Sequence, residues 1–180
     1  MRTVVVDGHR VTLDPTGPDF LGRGGEAEVY RHKGLALKVF HPVDPHAPVA
    51  ERQARTANLK LKGLKLAAFP KGLPVEVLAP VSLAHATPNG DVVGYTMPLI
   101  GGMHTLYNLA DRDFRSTAGV GHPDVLAVFK KFHNALRGLH TASVVVGDLN
   151  DGNEMFQASP SIDLRIIDVD SLQFNGYPCT

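Results

Sequence analysis

The 180-residue sequence predicts an α+β protein built as two lobes: a β-rich first lobe with one main helix over residues 1–98, and a helical second lobe, cut short, over residues 99–180. Three observations carry that expectation. Short apolar runs broken by glycine, proline and asparagine turns crowd the first half. The longest helix-period pattern, Asp124 to His140, lies in the second half. Between them Pro98-Leu-Ile-Gly-Gly102 ends a strand and starts nothing periodic, as a hinge does. A cleft between the lobes is the natural place for a ligand.

Taken in order, Thr3 to Val6 and Arg10 to Leu13 flank Asp7-Gly8, a strong hairpin signal. A proline- and glycine-bearing loop follows, Asp14 to Asp19. Phe20 to Tyr30 holds three glycines and leads through a turn at His32 to Gly34 into Leu35-Ala-Leu-Lys-Val-Phe40, which reads as strand, turn, strand with Lys38 embedded. Pro42, Pro45 and Pro48 punctuate a linker, and Val49 to Leu66 is rich in helix formers. Val75 to Leu83 and Asp91 to Met97 read as two more strands, the second introduced by Asn89-Gly90. His122-Pro-Asp124 opens the long helix, whose Val125, Leu126, Phe129, Phe132, His133, Leu136 and Leu139 or His140 share a face. Val144 to Val146 then run into the polar stretch Gly147 to Asn153, and a last strand, Leu164 to Ile167, enters Asp168.

An apolar fraction of 43% and charges that cancel describe a globular protein with no electrostatic reason to seek nucleic acid or an acidic membrane. One basic run, Arg52, Arg55, Lys60, Lys62, Lys65 and Lys71, reads as a solvated helix face. Cys179 is the only cysteine, which excludes an intrachain disulfide and fits a reducing compartment. The N-terminus lacks a signal-peptide core, and no apolar stretch reaches the ~20 residues of a spanning helix, so the expectation is cytoplasmic. The nine histidines are scattered without ligand spacing.

Four pieces carry chemistry. Leu21-Gly22-Arg-Gly24-Gly25-Glu-Ala27-Glu-Val29 is a glycine loop between strands, where backbone N–H groups can approach phosphate without a Cβ in the way. It precedes a strand, which argues against a dinucleotide-binding unit. Lys38 in its strand offers a cation for phosphate. Between residues 39 and 75 the only acids are Asp44 and Glu51, and Glu51, at the head of the helix, is the candidate partner. Asp148 and Asn153, five residues apart, can divide the orientation of a hydroxyl from the ligation of a hard cation. Asp168 ends an apolar strand, a costly place for an acid unless donors or a metal meet it.

In this order the pieces resemble the signature set of the protein-kinase-like superfamily. Gly-Asp-Leu-Asn-x-Gly-Asn and Asp-x-Asp-Ser-x-Gln-Phe point further, to bacterial kinase-like proteins associated with helix-hairpin-helix DNA-binding segments. The resemblance implies ATP and Mg²⁺ as cofactors and a Ser/Thr protein substrate. Gly22, Gly24 and Val29 would lie over the nucleotide, with Leu21 and Ala36 above the adenine. Lys38, paired with Glu51, would reach the α/β-phosphates. Met97 would back the adenine pocket, Pro98 and Leu99 would supply hinge backbone, and Met155 would form the floor. Asp148 would be the catalytic acid-base, and Asn153 and Asp168 would hold the metal.

Several residues depart from the pattern. Ala27 replaces a third glycine, and Val146-Gly147 stands where His-Arg is usual, which removes the clamp on a phosphorylated activation loop. Asn150 replaces the lysine common in protein Ser/Thr kinases, and Val169-Asp170 replaces Phe-Gly, with Asp170 either an extra metal ligand or, the favoured reading, a turn cap. Twelve residues follow Asp168, so the chain is expected to end within the activation segment, as an N-terminal fragment prone to self-association. Two other readings remain: a small-molecule kinase of aminoglycoside or choline phosphotransferase type, and a nucleotide-binding pseudokinase scaffold.

Overall fold

A computed structural model describes residues Met1 to Cys179, which form two compact units. The first comprises Met1–Phe69 and Ala79–Leu99; the second comprises Pro70–Leu78 and the chain from Ile100 onward.

In the first unit, β1 (Arg2–Val6) and β2 (His9–Leu13) form the expected hairpin, with Asp7 and Gly8 at φ of 49° and 78°. β3 (Phe20–Arg23), β4 (Ala27–His32) and β5 (Leu35–Phe40) follow, then α1 (Val49–Ala67), β6 (Ser82–His85) and β7 (Val92–Pro98). The seven strands make one antiparallel sheet in the order β2-β1-β6-β7-β5-β4-β3. Alternation decides what each face carries. Leu37 and Val39 enter a core with Val4, Val6, Leu13, Tyr30 and Ala84. Ala36, Lys38 and Phe40 therefore face the other side, where α1 packs with Lys62 over the Phe40 ring.

Two expectations for this unit need correction. Of the expected strand 75–83 only Ser82 and Leu83 fall in a strand, β6, which runs on to His85. The basic run on α1 is not a solvated face: Lys62 and Lys65 are fully buried, while Leu64 is exposed.

The second unit opens with β8 (His104–Thr105), a 3₁₀ turn at Leu106–Ala110, and α2 (Arg112–Thr117). None of these was expected, though Asp111 is a readable cap, accepting from the backbone N–H groups of Asp113 and Phe114. α3 (His122–Thr141) starts where Asp124 accepts from the Gly121 N–H at 2.8 Å. Its buried stripe is Val128, Ala135 and Leu139, whereas Leu126 and Phe129 are exposed. The apolar face assigned from periodicity is thus rotated from the one that packs. β9 (Glu154–Gln157) pairs with β10 (Asp163–Ile166) on one side and with β8 on the other.

Residues 75–78 dock on β10 rather than joining the large sheet. Ile166 donates to the Glu76 carbonyl at 2.7 Å and accepts from the Leu78 N–H at 3.0 Å. Lys131 of α3 secures the other end of β10, donating to Asp163 at 2.9 Å. Burial pushes the Asp163 carboxyl up, but the bond from Lys131, the Leu164 N–H and Arg165 together hold it below the ordinary aspartate value. No helix among the described residues is long and apolar enough to cross a membrane.

Candidate active site

The first unit carries the glycine loop, the strand lysine and the hinge-strand residues. Residues directly opposite in an antiparallel pair share a face. Gly22 pairs with Val29, Val29 with Lys38, and Lys38 with Tyr95; Ala36 pairs with Met97. Five of the expected residues, Gly22, Val29, Ala36, Lys38 and Met97, thus line one side of the sheet. Leu21 sits at a register shift in β3, which leaves it exposed. Pro98 ends β7 and is exposed, and Leu99 is the last residue of this unit.

Packing does not require the glycines. A Cβ built on Gly22 or Gly25 meets nothing within 4 Å, and one on Gly24 meets only the Ala27 carbonyl, at 3.8 Å. No left-handed φ demands them either. What they provide is open backbone, which suits a phosphate cradle.

Lys38 is half-buried, its Nζ 5.9 Å from the ring centroids of both Phe40 and Tyr95. Glu51 forms no ion pair with it: the acid lies exposed in the first turn of α1. The acid beside this helix is instead Glu26, from the tip of the glycine loop, whose Oε2 accepts from Lys62 Nζ at 2.5 Å. Sequence reasoning missed Lys62. The Lys62/Lys65 spacing places both lysines on one helix face, but nothing in the sequence marks that face as buried.

The second unit carries the acid-base and metal candidates. After Val144, buried three residues past the end of α3, the chain pairs Val145 with Gln173 in both directions, at 2.9 and 2.8 Å, and then turns outward. Gly147 is required here, because a Cβ would lie 2.4 Å from the Cys179 Cβ. The loop closes on itself: Asn150 Oδ1 accepts from the Gly152 N–H at 2.9 Å, and Asn150 O from the Asn153 N–H at 2.7 Å. Asn153 Nδ2 donates to Asp148 Oδ2 at 3.2 Å, which brings the two expected residues together and turns Asn153 Oδ1 away from Asp148.

Asn153 O accepts from the Ile167 N–H at 2.9 Å, continuing the β9–β10 register in which Glu154 faces Ile166. Asp168, next along, therefore lies across the hairpin from the Asn153 segment. It adopts φ 60° and ψ 40°, and its carbonyl accepts from the N–H and hydroxyl of Ser171 at 3.0 and 2.8 Å. That αL residue ends the strand and starts the 3₁₀ turn Val169–Ser171, which contains buried Asp170. Met155 sits half-buried in β9 between Thr105 and Arg165.

Asn153 and Asp168 offer one neutral and one anionic oxygen. No cluster of three His, Cys, Asp or Glu side chains suited to a metal occurs among the described residues. Two protein oxygens fit Mg²⁺, which is usually held by one or two carboxylates together with substrate phosphates and water.

Glu154 was not expected. It follows Asn153, is buried, and its Oε1 has no hydrogen-bond partner. Burial, reinforced by Asp151 and Asp148, raises its carboxyl to about 7. It borders an apolar recess of about 480 Å³ lined by Leu106, Leu109, Phe129, Phe132 and Leu149.

Together these features define a protein of protein-kinase-like fold. The relatives it resembles are kinases by name. Protein kinase YegI of Escherichia coli, in strain K12 and in O157:H7, is 26% identical over 162 residues, covering 87% of this chain and 23% of YegI. Among solved structures, WbdD in complex with the kinase inhibitor LY294002 superposes with a TM-score of 0.57 at 19% identity, over 95% of this chain and 37% of WbdD. Rad53 residues 1–466 with AMP-PNP superposes with a TM-score of 0.56 at 15% identity, over 84% of this chain and 37% of Rad53. The chain thus spans about a quarter of the curated relatives' length. No family model matches it.

Proposed function

We infer that the chain belongs to an ATP- and Mg²⁺-dependent phosphotransferase that acts on Ser/Thr hydroxyls of proteins. The observation that carries this reading is the Asp148–Asn153 hydrogen bond, made in a loop whose Asn153 is tied by its backbone to Ile167, the residue before Asp168. Asp148 Oδ1 is left to receive an acceptor hydroxyl, while Oδ2 is held by Asn153. Asn153 Oδ1 and Asp168 would hold Mg²⁺, which when bound supplies positive charge to the phosphate oxygens. Lys38 would bind α/β-phosphate oxygens beneath the open glycine loop, and Ala36, Val29 and Met97 would offer an apolar face to the base.

The kinase names of the relatives support this reading, as does the nucleotide analogue bound to Rad53. A small-molecule acceptor is the second reading. What favours it is Asn150, which stands where protein kinases carry lysine and whose side-chain oxygen is committed to the Gly152 N–H.

The test is transfer from γ-labelled ATP with protein and small-molecule acceptors offered side by side. Asp148→Asn should lower transfer at least ~100-fold with ATP affinity retained, as expected for loss of a general base. Transfer unchanged in that variant would overturn the assignment. Label found only in small molecules would select the second reading.

A further inference from the structure

The apolar recess of about 480 Å³ in the second unit is walled by three segments. The 3₁₀ turn gives Leu106 and Leu109, α3 gives Phe129 and Phe132, and the loop after Val146 gives Leu149 and Asp151. The Tyr107 N–H donates to the Asp151 carbonyl at 3.1 Å, which clamps the turn to the loop and fixes two of the walls. Glu154 of β9 completes the lining. It is 1% exposed, and its Oε1 accepts no hydrogen bond. A buried acceptor left without a donor is costly. Packing does not call for one here: Glu154 and Phe156 are the inward positions of β9, and an apolar side chain fills the second of them. Among the described residues no Lys, Arg or His lines the recess, so no cation within it answers the two carboxyl groups.

We propose that this recess is a binding site for a small apolar amine, whose hydrocarbon or aromatic body fills the recess and whose N–H donates to Glu154 Oε1, with Asp151 at the same charged end. The proposal goes beyond the phosphotransferase reading and does not depend on it, since none of these side chains was assigned to nucleotide, metal or acceptor. The size suits a small molecule: ligand pockets run from roughly 300 to 1,000 Å³, mostly apolar, with a few polar groups that fix orientation. Glu154 shows the recess almost no surface, so its carboxyl must turn outward to meet the ligand. That turn breaks no bond at Oε1, because none is made there. A purely apolar ligand leaves the acceptor unmet, and an anionic one is repelled by two carboxyl groups. An amine answers both conditions.

The experiment compares wild type with Glu154→Met and Phe129→Ser, the second at a position 49% exposed. Calorimetry and amide chemical shifts would be recorded with phenylbutylamine, with butyl phenyl ketone as a similar body lacking the donor, and with phenylbutyrate as the anion. Wild type should bind the amine about tenfold or more tightly than the ketone, the difference one hydrogen bond to a carboxylate makes, and should not bind phenylbutyrate. The shifts should centre on Leu106 to Ala110 and on α3. Glu154→Met should bring the amine level with the ketone, and Phe129→Ser should weaken both alike. The proposal is overturned if wild type binds the amine no more tightly than the ketone, or if the preference survives in Glu154→Met. It is also overturned if Phe129→Ser leaves the amine affinity unchanged, an arm that decides the matter even if Glu154→Met does not fold. Sedimentation tests the rival occupant: a dimer that Phe129→Ser disperses and that the amine cannot compete with would assign the recess to a second copy of the chain and overturn the proposal.

Discussion

Replacing Glu154 with glutamine should change how the stability of this protein depends on pH. The side chain is buried, Oε1 lacks a partner, and Asp151 and Asp148 add negative charge, so the folded state holds the carboxyl at about 7 against an ordinary 4.5. A difference of that size corresponds to about 3 kcal/mol between the two protonation states. The folded pKa is the higher one, so the fold favours the protonated form. Stability from this group is therefore complete below pH 4.5, falls as the unfolded chain ionises, and reaches its floor above pH 7. Glutamine keeps the shape and cannot ionise. Any cost of burying its amide is independent of pH and cancels when two pH values are compared. Urea unfolding in chelator, at pH 5 and at pH 8, should show the variant gaining about 2–3 kcal/mol on wild type between them. A wild-type-to-variant difference that is flat across that range would refute the argument from burial.

Two further changes test the scaffold on which the site stands. A Cβ at Gly94 would lie 2.1 Å from the Lys38 carbonyl and 2.9 Å from Val39 Cα, so Gly94→Ala should destabilise the first unit by about 3 kcal/mol in thermal or denaturant unfolding. Lys131→Met removes the donor that holds Asp163 and should cost about 1 kcal/mol at neutral pH. Because the Asp163 carboxyl titrates below its ordinary 3.8, that cost should fade in acid as the carboxylate is protonated, a fade that unfolding at pH 2 would show.

The parts of the site that sequence revealed are those fixed by strand alternation and short turns. Val29, Ala36, Lys38 and Met97 share a face because the two-residue period admits one register once Lys33-Gly34 makes the turn. Asp148 and Asn153 meet because a tight loop leaves five residues few alternatives. The missed features depend on tertiary packing. Lys62 is buried by an acid and an aromatic ring far away in sequence, which no helix-face count on α1 contains. The same blindness misplaced the packing face of α3, where large Leu126 and Phe129 dominate any periodicity but small Val128 and Ala135 are what close packing admits. Val75 to Leu78 have the composition of a strand, yet their hydrogen bonds go to Ile166, a partner ninety residues away.

That last segment governs how the chain can be divided. The backbone enters the second unit at Pro70, leaves it after Leu78 and re-enters at Ile100. A cut at the apparent hinge would leave residues 70–78 on the first piece, so residues 1–99 would hold the first unit entire while the second piece would lack a segment of its own unit. Fragment 100–180 should be poorly folded alone, because β10 loses its bonds to Glu76 and Leu78, and should gain structure when mixed with fragment 1–99. The chain is thus interleaved in its connectivity, the second unit being assembled from two separate stretches.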